Sequence, residues 1–455
     1  MNTKLLKQKI LDLAIRGKLV PQDPNDEPAS ELLKRIRAEK EKLIAEGKIK
    51  RSKKTGDKPH YENENAPFEV PNSWKWCKIE DFAYDLQYGT SEKSLHTGIV
   101  PVLRMGNISR DGTVDYTDLV YSSNEEDIAK FSLQLNDLLF NRTNSSEWVG
   151  KTAIYKAEKN AIFAGYLIRI RTFIVCPDYI NFVMNSSYHR HWCNQVKTDA
   201  VNQSNINAQK LSNLLVPVPP INEQKRIVSE IGRWMALIDE IETNKQFMQE
   251  FIKQAKSKIL DFAIHGKLVP QDPKDEPAVE LLKRINPNAP ICDTSHYENL
   301  PTNWSIFTMS DLCRIIDGEK QSNINRIYLD VKYLRGKSDG EYMKSGKFVP
   351  ANSTMILVDG ENSGEIFTTT IDGYQGSTFK ILDISKEMYK PFVLYIIMSY
   401  QKQLRENKVG SAIPHLNKKL FREIVVEVPP YEEQKRIVAK IDELISFFDS
   451  ILLKL

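Results

Sequence analysis

The chain of 455 residues has few of the features that mark whole classes of protein. Its five cysteines are odd in number and include no CxxC pair. That argues against a disulfide framework and points to a reducing compartment, so a cytoplasmic location is expected. No apolar run approaches the ~18–20 residues of a membrane span. The longest candidate is "FVLYIIM" at 392–398. The opening "MNTKLLKQKI" carries basic residues but no apolar stretch behind them, so no secretory leader is expected. Neither sign of charge dominates. A net charge of +3 neither requires nor excludes a polyanion partner, because such proteins concentrate positive charge on one face. The densest basic run, "GKIKRSKKTGDKPH" at 47–60, fits a solvated loop or a phosphate contact.

Catalytic signatures are also missing. "GKT" at 150–152 lacks the earlier glycine of a phosphate loop, since Ser145 stands there. "VPPY" at 428–431 and "VPPI" at 218–221 are similar to the catalytic DPPY/NPPY of adenine methyltransferases, but Val428 and Val218 replace the polar residue. Glu223-Gln224-Lys225 and Glu433-Gln434-Lys435 match half of a nuclease site without a well-placed upstream Asp. An acid there is better explained by capping and the helix dipole. His189 and Cys193 would share a helix face, but His191 would point away and no fourth ligand is apparent, so no metal is expected.

What is present is repetition. Residues 9–36 and 258–285 differ at only four of 28 positions: Leu13/Phe262, Arg16/His265, Asn25/Lys274 and Ser30/Val279. Both copies contain "GKLVPQDPxDEP". A second repeat pairs "VPPINEQKRIVSEI" (218–231) with "VPPYEEQKRIVAKI" (428–441). Weaker echoes are "HYEN" at 60–63 and 296–299, and Pro71…Trp74 against Pro301…Trp304. Centrally, the second motif leads into the first along one segment. In the other copy the two halves sit at opposite ends of the sequence. Aligned on the central copy, Leu455 corresponds to Lys245 and Met1 to Glu250. The chain is a tandem duplication cut inside one copy, a circular permutation, and its two ends are expected to lie close together.

The central copy carries a heptad seam: Ile227, Ile231, Trp234, Ile238, Ile241, Lys245, Met248, Ile252, Ala255, Ile259 and Phe262. The split copy repeats it with Ile437, Ile441, Leu444, Phe448, Ile451 and Leu455, then Leu6, Ile10 and Leu13. The spacing predicts one helix over 222–264, roughly 65 Å long. Gly17 and Gly266 suit left-handed helix ends. Pro28 and Pro277 suit the first turn of a short following helix. Lys245 interrupts the seam opposite the cut and is expected near Leu455. Connectivity requires the two long helices to be antiparallel, with one globular block at each end.

The fold class expected is α+β: two mixed α/β blocks joined by two long antiparallel coiled-coil helices in a circularly permuted pseudo-twofold repeat. The divisions are 1–36 and 429–455 for the split helical region, 219–285 for the central one, and 37–218 and 286–428 for the blocks. Strands are predicted at "DLVYSS", "TAIYKA", "YLIRIRTFIV", "STMILVDG" and "STFKILDI". Helices are predicted in "PDYINFVMNSSYHRHWCNQV" and "KPFVLYIIMSYQKQLREN". The connecting motifs barely differ between copies while the blocks differ strongly. One part does a common job twice; the other does two different jobs.

The chain resembles the specificity (S) subunit of type I restriction–modification enzymes over essentially its full length. The resemblance lies in "YGTSEKS" (88–94), "VPVLRMGNIS" (100–109), "LLFNRTNSSEWVGKTAIY" (138–155), "VNQSNINAQKLSNLLVPVPPINEQKRIV" (201–228) and "GSAIPHLNKKLFREIVVEVPPYEEQKRIV" (410–438). It implies a non-catalytic reader of double-stranded DNA, in which each block is a target-recognition domain for one half of a split site. The helices would hold two methyltransferase (M) subunits and, through them, restriction (R) subunits where present. S-adenosylmethionine, ATP and Mg would belong to those partners, with no cofactor, metal or membrane contact on this chain. Unlike blocks imply unlike half-sites, so the site is expected to be asymmetric.

Candidate DNA contacts follow from polar residues in Gly- and Ser-rich segments beside predicted strands. In the first block they are Thr90, Ser91, Lys93, Arg104, Asn107 and Arg142. The same block adds Asn144, Ser145, Lys151, Asn202, Gln203 and Ser204. In the second block they are Lys320, Gln321, Arg335, Lys337 and Asn362, with Ser363, Ser377, Ser411 and His415. Two other classes remain open: a coiled-coil adaptor whose end modules bind proteins, and a DNA-modifying enzyme acting alone.

Overall fold

The computed structural model describes residues 2–49, 66–201, 203–287, 300–409 and 414–455. Asn202, Gly410, Ser411, both "HYEN" echoes and all but the first three residues of the basic run 47–60 lie outside the described residues. The chain divides into two compact units, Met1–Thr243 and Asn244–Leu455. The central helix is continuous over Ile221–Ile264 and supplies its first half to one unit and its second half to the other.

Within each unit a long helix pairs with an antiparallel partner. In the first unit Lys7, on the helix Thr3–Ile15, meets Asp239 at 2.8 Å, while Asp26 meets Arg226 at 2.6 Å. Higher numbers on one segment face lower numbers on the other. In the second unit Asp275 meets Arg436 at 2.7 Å and Lys256 meets Asp449 at 2.6 Å. Lys245 Nζ donates to the Leu455 carbonyl oxygen at 2.7 Å, as its place opposite the cut predicts.

The seam is buried only in part. Ile227, Ile231, Ile238 and Ile252 are buried, but Ile241, Met248 and Phe262 are 40%, 38% and 39% exposed. Ile241 is exposed although Lys7 on the partner helix meets Asp239 and Glu242 on either side of it. Near Phe262 the neighbouring Ala263 turns inward instead.

The repeated motif is a joint, and it is built twice from the same contacts. The helix Thr3–Ile15 stops at Gly17 (φ +67) and the central helix at Gly266 (φ +63), a conformation that costs a β-carbon-bearing residue about 1–3 kcal/mol. A Cβ on Gly17 would lie 2.4 Å from Pro71 Cγ, and one on Gly266 2.6 Å from Pro301 Cγ. Trp74 donates its indole N–H to buried Glu223 at 2.9 Å, and Trp304 to buried Glu433 at 3.1 Å. Gln22 and Gln271 donate to the same two carboxylates. Buried Gln224 accepts from the Cys176 backbone N–H and donates to the Pro219 carbonyl, and Gln434 does the same with Tyr389 and Pro429. These glutamates anchor side chains of the joint; they are not the helix caps the sequence suggests. Burial pushes both carboxyls above their ordinary range, and the indole donors pull them back.

Pro28 and Pro277 stand one residue earlier than expected, as N-caps with ψ of 147° and 140°. The first of the following helices is also longer than expected. It runs Ala29–Ala45, past the division at residue 36, whereas its counterpart Ala278–Ile285 stops early.

The two blocks share a topology that their sequences conceal. Each is closed at its base by an antiparallel pair: Lys75–Lys78 with Leu215–Val218, and Ser305–Thr308 with Val425–Val428. Each then has a four-stranded antiparallel sheet. In the first the order is Ala83–Tyr88, Leu167–Thr172, Leu138–Asn141, Thr152–Ile154. In the second it is Cys313–Ile316, Phe379–Ile384, Thr354–Leu357, Ile366–Thr368. Three further strands are common to both blocks, and the first block adds a small sheet of its own, Thr198–Ala200, Gln203–Asn205 and Thr143–Asn144. Val100–Leu103 pairs antiparallel with Val120–Ser122 and parallel with Ile162–Phe163. Lys320–Leu329 pairs antiparallel with Tyr342–Val349 and parallel with Gly373–Gln375, and here the three close into a barrel. All five predicted strands form. Lys390–Glu406 is one helix. Pro177–Val196 is two, Pro177–Val183 and Ser187–Val196, because Ser186 caps the second by accepting from the His189 N–H.

Candidate nucleic-acid interface

In the first unit, three hydrogen-bonded segments bring several candidates together. Thr143–Asn144 pairs with Gln203–Asn205, which pairs with Thr198–Ala200. The Ile206 N–H donates to the Arg142 carbonyl at 2.9 Å, fixing these strands beside Arg142. The Arg142 guanidinium carbon sits 4.7 Å from the centre of the Tyr88 ring and Nη1 donates to Gly165 at 3.3 Å, while Nε is buried with no hydrogen-bond partner among the described residues. Asn144 accepts from the N–H of exposed Ser145 at 2.8 Å, and Gln203 is exposed.

A second cluster lies on Trp148, which is 37% exposed. The Arg110 guanidinium stacks 3.6 Å from the ring centroid and pairs with Glu147 at 2.5 Å. Lys151 Nζ lies 4.6 Å from the same ring and donates to the carbonyls of Met105 and Ile108. Burial, then the charge of Arg110, holds the Lys151 ammonium below its ordinary pKa. Sequence reading picks out Lys151 but leaves out Arg110, Trp148 and Tyr88. The available signal is aromatic residues interleaved with basic ones, in "YGTSEKS" and in "RTNSSEWVGK".

Other candidates serve the loops that carry them. Thr90 is buried, donates to Asp127 and accepts from the Glu92 N–H. Asn107 is buried and spends its amide on Arg104 N and the carbonyls of Asp115 and Asp118. Ser204 is buried and donates to Asp199. Arg104 pairs with Asp118 at 3.0 Å. Ser91 and Lys93 are exposed beside Thr90.

In the second unit, Asn362, Ser363, Arg335 and His415 gather at the turn 359–365. Arg335 pairs with Glu365, and His415 Nδ1 lies 2.7 Å from Asp359. Asn362 is exposed, whereas Ser363 is fully buried and its hydroxyl has no hydrogen-bond partner among the described residues. Lys337 and Ser377 are exposed, the latter donating its N–H to the Tyr328 hydroxyl at 2.7 Å. Lys320 and Gln321 lie apart from this turn, on the long strand Lys320–Leu329.

The rejected chemistry has a packing role. Gly150 adopts φ +90, and a Cβ there would lie 2.3 Å from Cys193 Sγ. His189 is buried, 3.4 Å from Cys193 Sγ through Nε2, and stacks on Trp192; His191 turns away toward Gln195. Among the described residues, no group of three or more His, Cys, Asp or Glu is placed to hold a metal. Burial pulls the His189 pKa down to about 3. A histidine lowered on folding binds its proton more weakly in the native state. Its stability contribution is therefore complete above about pH 6.5 and declines as pH falls toward 3. The first unit is expected to lose about 1.4 kcal/mol per pH unit in that window from this group. Urea denaturation at pH 7 and pH 5 checks it, with H189L flattening the dependence.

Among the described residues, no helix is long and apolar enough to cross a membrane. The family model "Type I restriction modification DNA specificity domain" matches residues 71–247 and 301–452, one match per block with its following helix. The EcoAI specificity subunit of Escherichia coli is 26% identical over 97% of this chain and 89% of its own length. The putative MjaX specificity subunit of Methanocaldococcus jannaschii is 27% identical over 83% of this chain and 88% of its own. A solved chain of a type I R-M system, from work on its complex assembly and conformational transition, superposes with TM-score 0.61 at 16% identity, covering 85% of this chain and 94% of that one. The HsdS subunit of Thermoanaerobacter tengcongensis superposes with TM-score 0.53 at 16% identity, covering 86% and 94%. With both blocks matched, this chain belongs to the family of type I restriction–modification DNA specificity subunits.

Proposed function

We propose that this chain is the non-catalytic DNA-reading subunit of a type I complex, in which each block reads one half of an asymmetric bipartite site. The observation that carries the reading is the twin joint. Two blocks of one topology and unlike sequence are set on paired helices by the same Trp–Glu–Gln contacts. A repeated helix-and-joint unit that carries two unlike blocks matches a site of two different halves around an unread spacer. The polar and aromatic clusters at Arg142–Tyr88 and at Trp148 supply donors and stacking faces of the kind that hold nucleic acid.

The helices serve as the docking faces for two methyltransferase subunits. Exposed aromatic side chains on them support this, since Phe247, Phe251 and Phe447 are 70%, 53% and 60% exposed. S-adenosylmethionine, ATP and Mg would be bound by those partners and by restriction subunits. The chain is expected to work in the cytoplasm, where the DNA is.

Footprinting the complex on randomised duplexes tests the reading. Protection of two short unlike motifs at fixed separation is expected. Binding without a bipartite preference would refute it and favour a protein-binding adaptor.

A further inference from the structure

The two blocks differ in the length of one shared hairpin. In the first unit the strands Val100–Leu103 and Val120–Ser122 have four and three residues. Their counterparts Lys320–Leu329 and Tyr342–Val349 have ten and eight. The added length is exposed: Ser322–Asn325 on one strand and Tyr342–Ser345 on the other. It carries apolar side chains that a solvated hairpin does not need, with Ile324 43%, Met343 41% and Tyr342 66% exposed.

The hairpin also breaks register at one point. Ser322 pairs with Ser345 and Arg326 pairs with Met343, so three residues, Asn323, Ile324 and Asn325, stand opposite Lys344 alone. Asn323 has φ +65, in the left-handed region. The bulge is held from below, where the Tyr374 hydroxyl donates to the Ile324 carbonyl at 2.8 Å. Arg326 is tied to Asp372 at 3.0 Å and stacks 4.3 Å from the Phe348 ring centroid, fixing the base of the hairpin. Asn323, Asn325 and Lys344 are exposed, and their side chains make no hydrogen bond or ion pair with another described residue. Bulges re-aim side chains and concentrate beside functional sites, and a strained asparagine persists only where its surroundings impose it.

We propose that this hairpin is the base-reading element of the second unit, entering the DNA major groove as a two-stranded ribbon. Asn323 and Asn325 present their amides to base edges, and Lys344 meets a backbone phosphate. The inference rests on the DNA-reading proposal above. The major groove, about 12 Å wide, admits two strands about 4.8 Å apart, and asparagine pairs through two hydrogen bonds with adenine N6 and N7. Ile324 and Met343 are placed to touch thymine methyl groups. None of these five residues is a contact that loop composition alone suggests.

The test uses the full-length chain with its methyltransferase partners and selected duplexes. N325A, and N323G, which keeps the left-handed backbone, are expected to weaken binding to the selected site by about 5- to 100-fold and relax one or two positions in one half-site. The other half-site should be unchanged. N325D keeps size and reverses the donor, so it should shift the preferred base at the same position. K344A should weaken all duplexes alike and lower the salt slope by about one. Unchanged base preference in N323G, N325A and N325D, in a complex that still binds bipartite sites, would overturn the ribbon proposal alone. A wild-type complex without bipartite preference would overturn the DNA reading beneath it.

Discussion

Replacing Trp74 by alanine is expected to destabilise the first unit by about 3–5 kcal/mol, the range for a buried tryptophan cut to a methyl group. Trp74 is 2% exposed and packs edge-on against Tyr179 at 6.3 Å. Its indole N–H meets Glu223, and its ring edge lies against Gly17. Removal opens a cavity and also strips a donor from a buried carboxylate, so the two costs add. W304A should cost a similar amount in the second unit through Glu433. Two milder variants separate the terms. W74F keeps most of the apolar volume and loses only the N–H, at about 1–3 kcal/mol. E223Q keeps the shape but turns an amide N–H toward one of two donors, at a comparable cost. Urea denaturation followed by circular dichroism gives the stabilities, and hydrogen exchange shows which unit opens. Losses under 1 kcal/mol for both alanine variants would mean that the joint does not hold the blocks.

Exchanging residues 71–218 for the matching block of a relative is expected to replace one half-site and leave the other intact. The geometry makes these cut points suitable. Lys75 pairs with Val218, so the block enters and leaves its base at one place. Trp74 travels with the block, while Gln22 and Glu223 stay behind on the helices to receive the incoming tryptophan. A changed half-site of three or four base pairs should lower affinity for the original duplex by roughly a thousandfold or more, at 1–3 kcal/mol per mismatch. Selection from randomised duplexes reads the result. A change in both half-sites would contradict one block per half-site.

Legibility in the sequence followed the range of the interactions. The permuted repeat predicted the joint, the helix Ile221–Ile264 and the meeting of Lys245 with Leu455, because copied residues must make copied contacts. The Pro71…Trp74 echo was visible, but not its partner: Glu223 is remote in sequence, and an acid at a helix start suggests a cap first. The common topology of the blocks was hidden, since any alternating apolar strand satisfies a sheet of either order. The buried hydrogen bonds of Thr90, Asn107 and Ser204 were hidden, because loop-building and ligand-binding polar residues have the same composition. The bulge at Asn323–Asn325 could not be read at all. It is a property of register with the strand Tyr342–Val349, and neither strand encodes it alone.

The central claim is that this chain chooses an asymmetric bipartite DNA site for partners that modify it. Mapping adenine methylation across the genome of cells with and without the chain tests this most directly. The account predicts one motif of two unlike halves at fixed spacing, methylated only when the chain is present. An unchanged methylation map, or a lost motif that is palindromic and continuous, would contradict it.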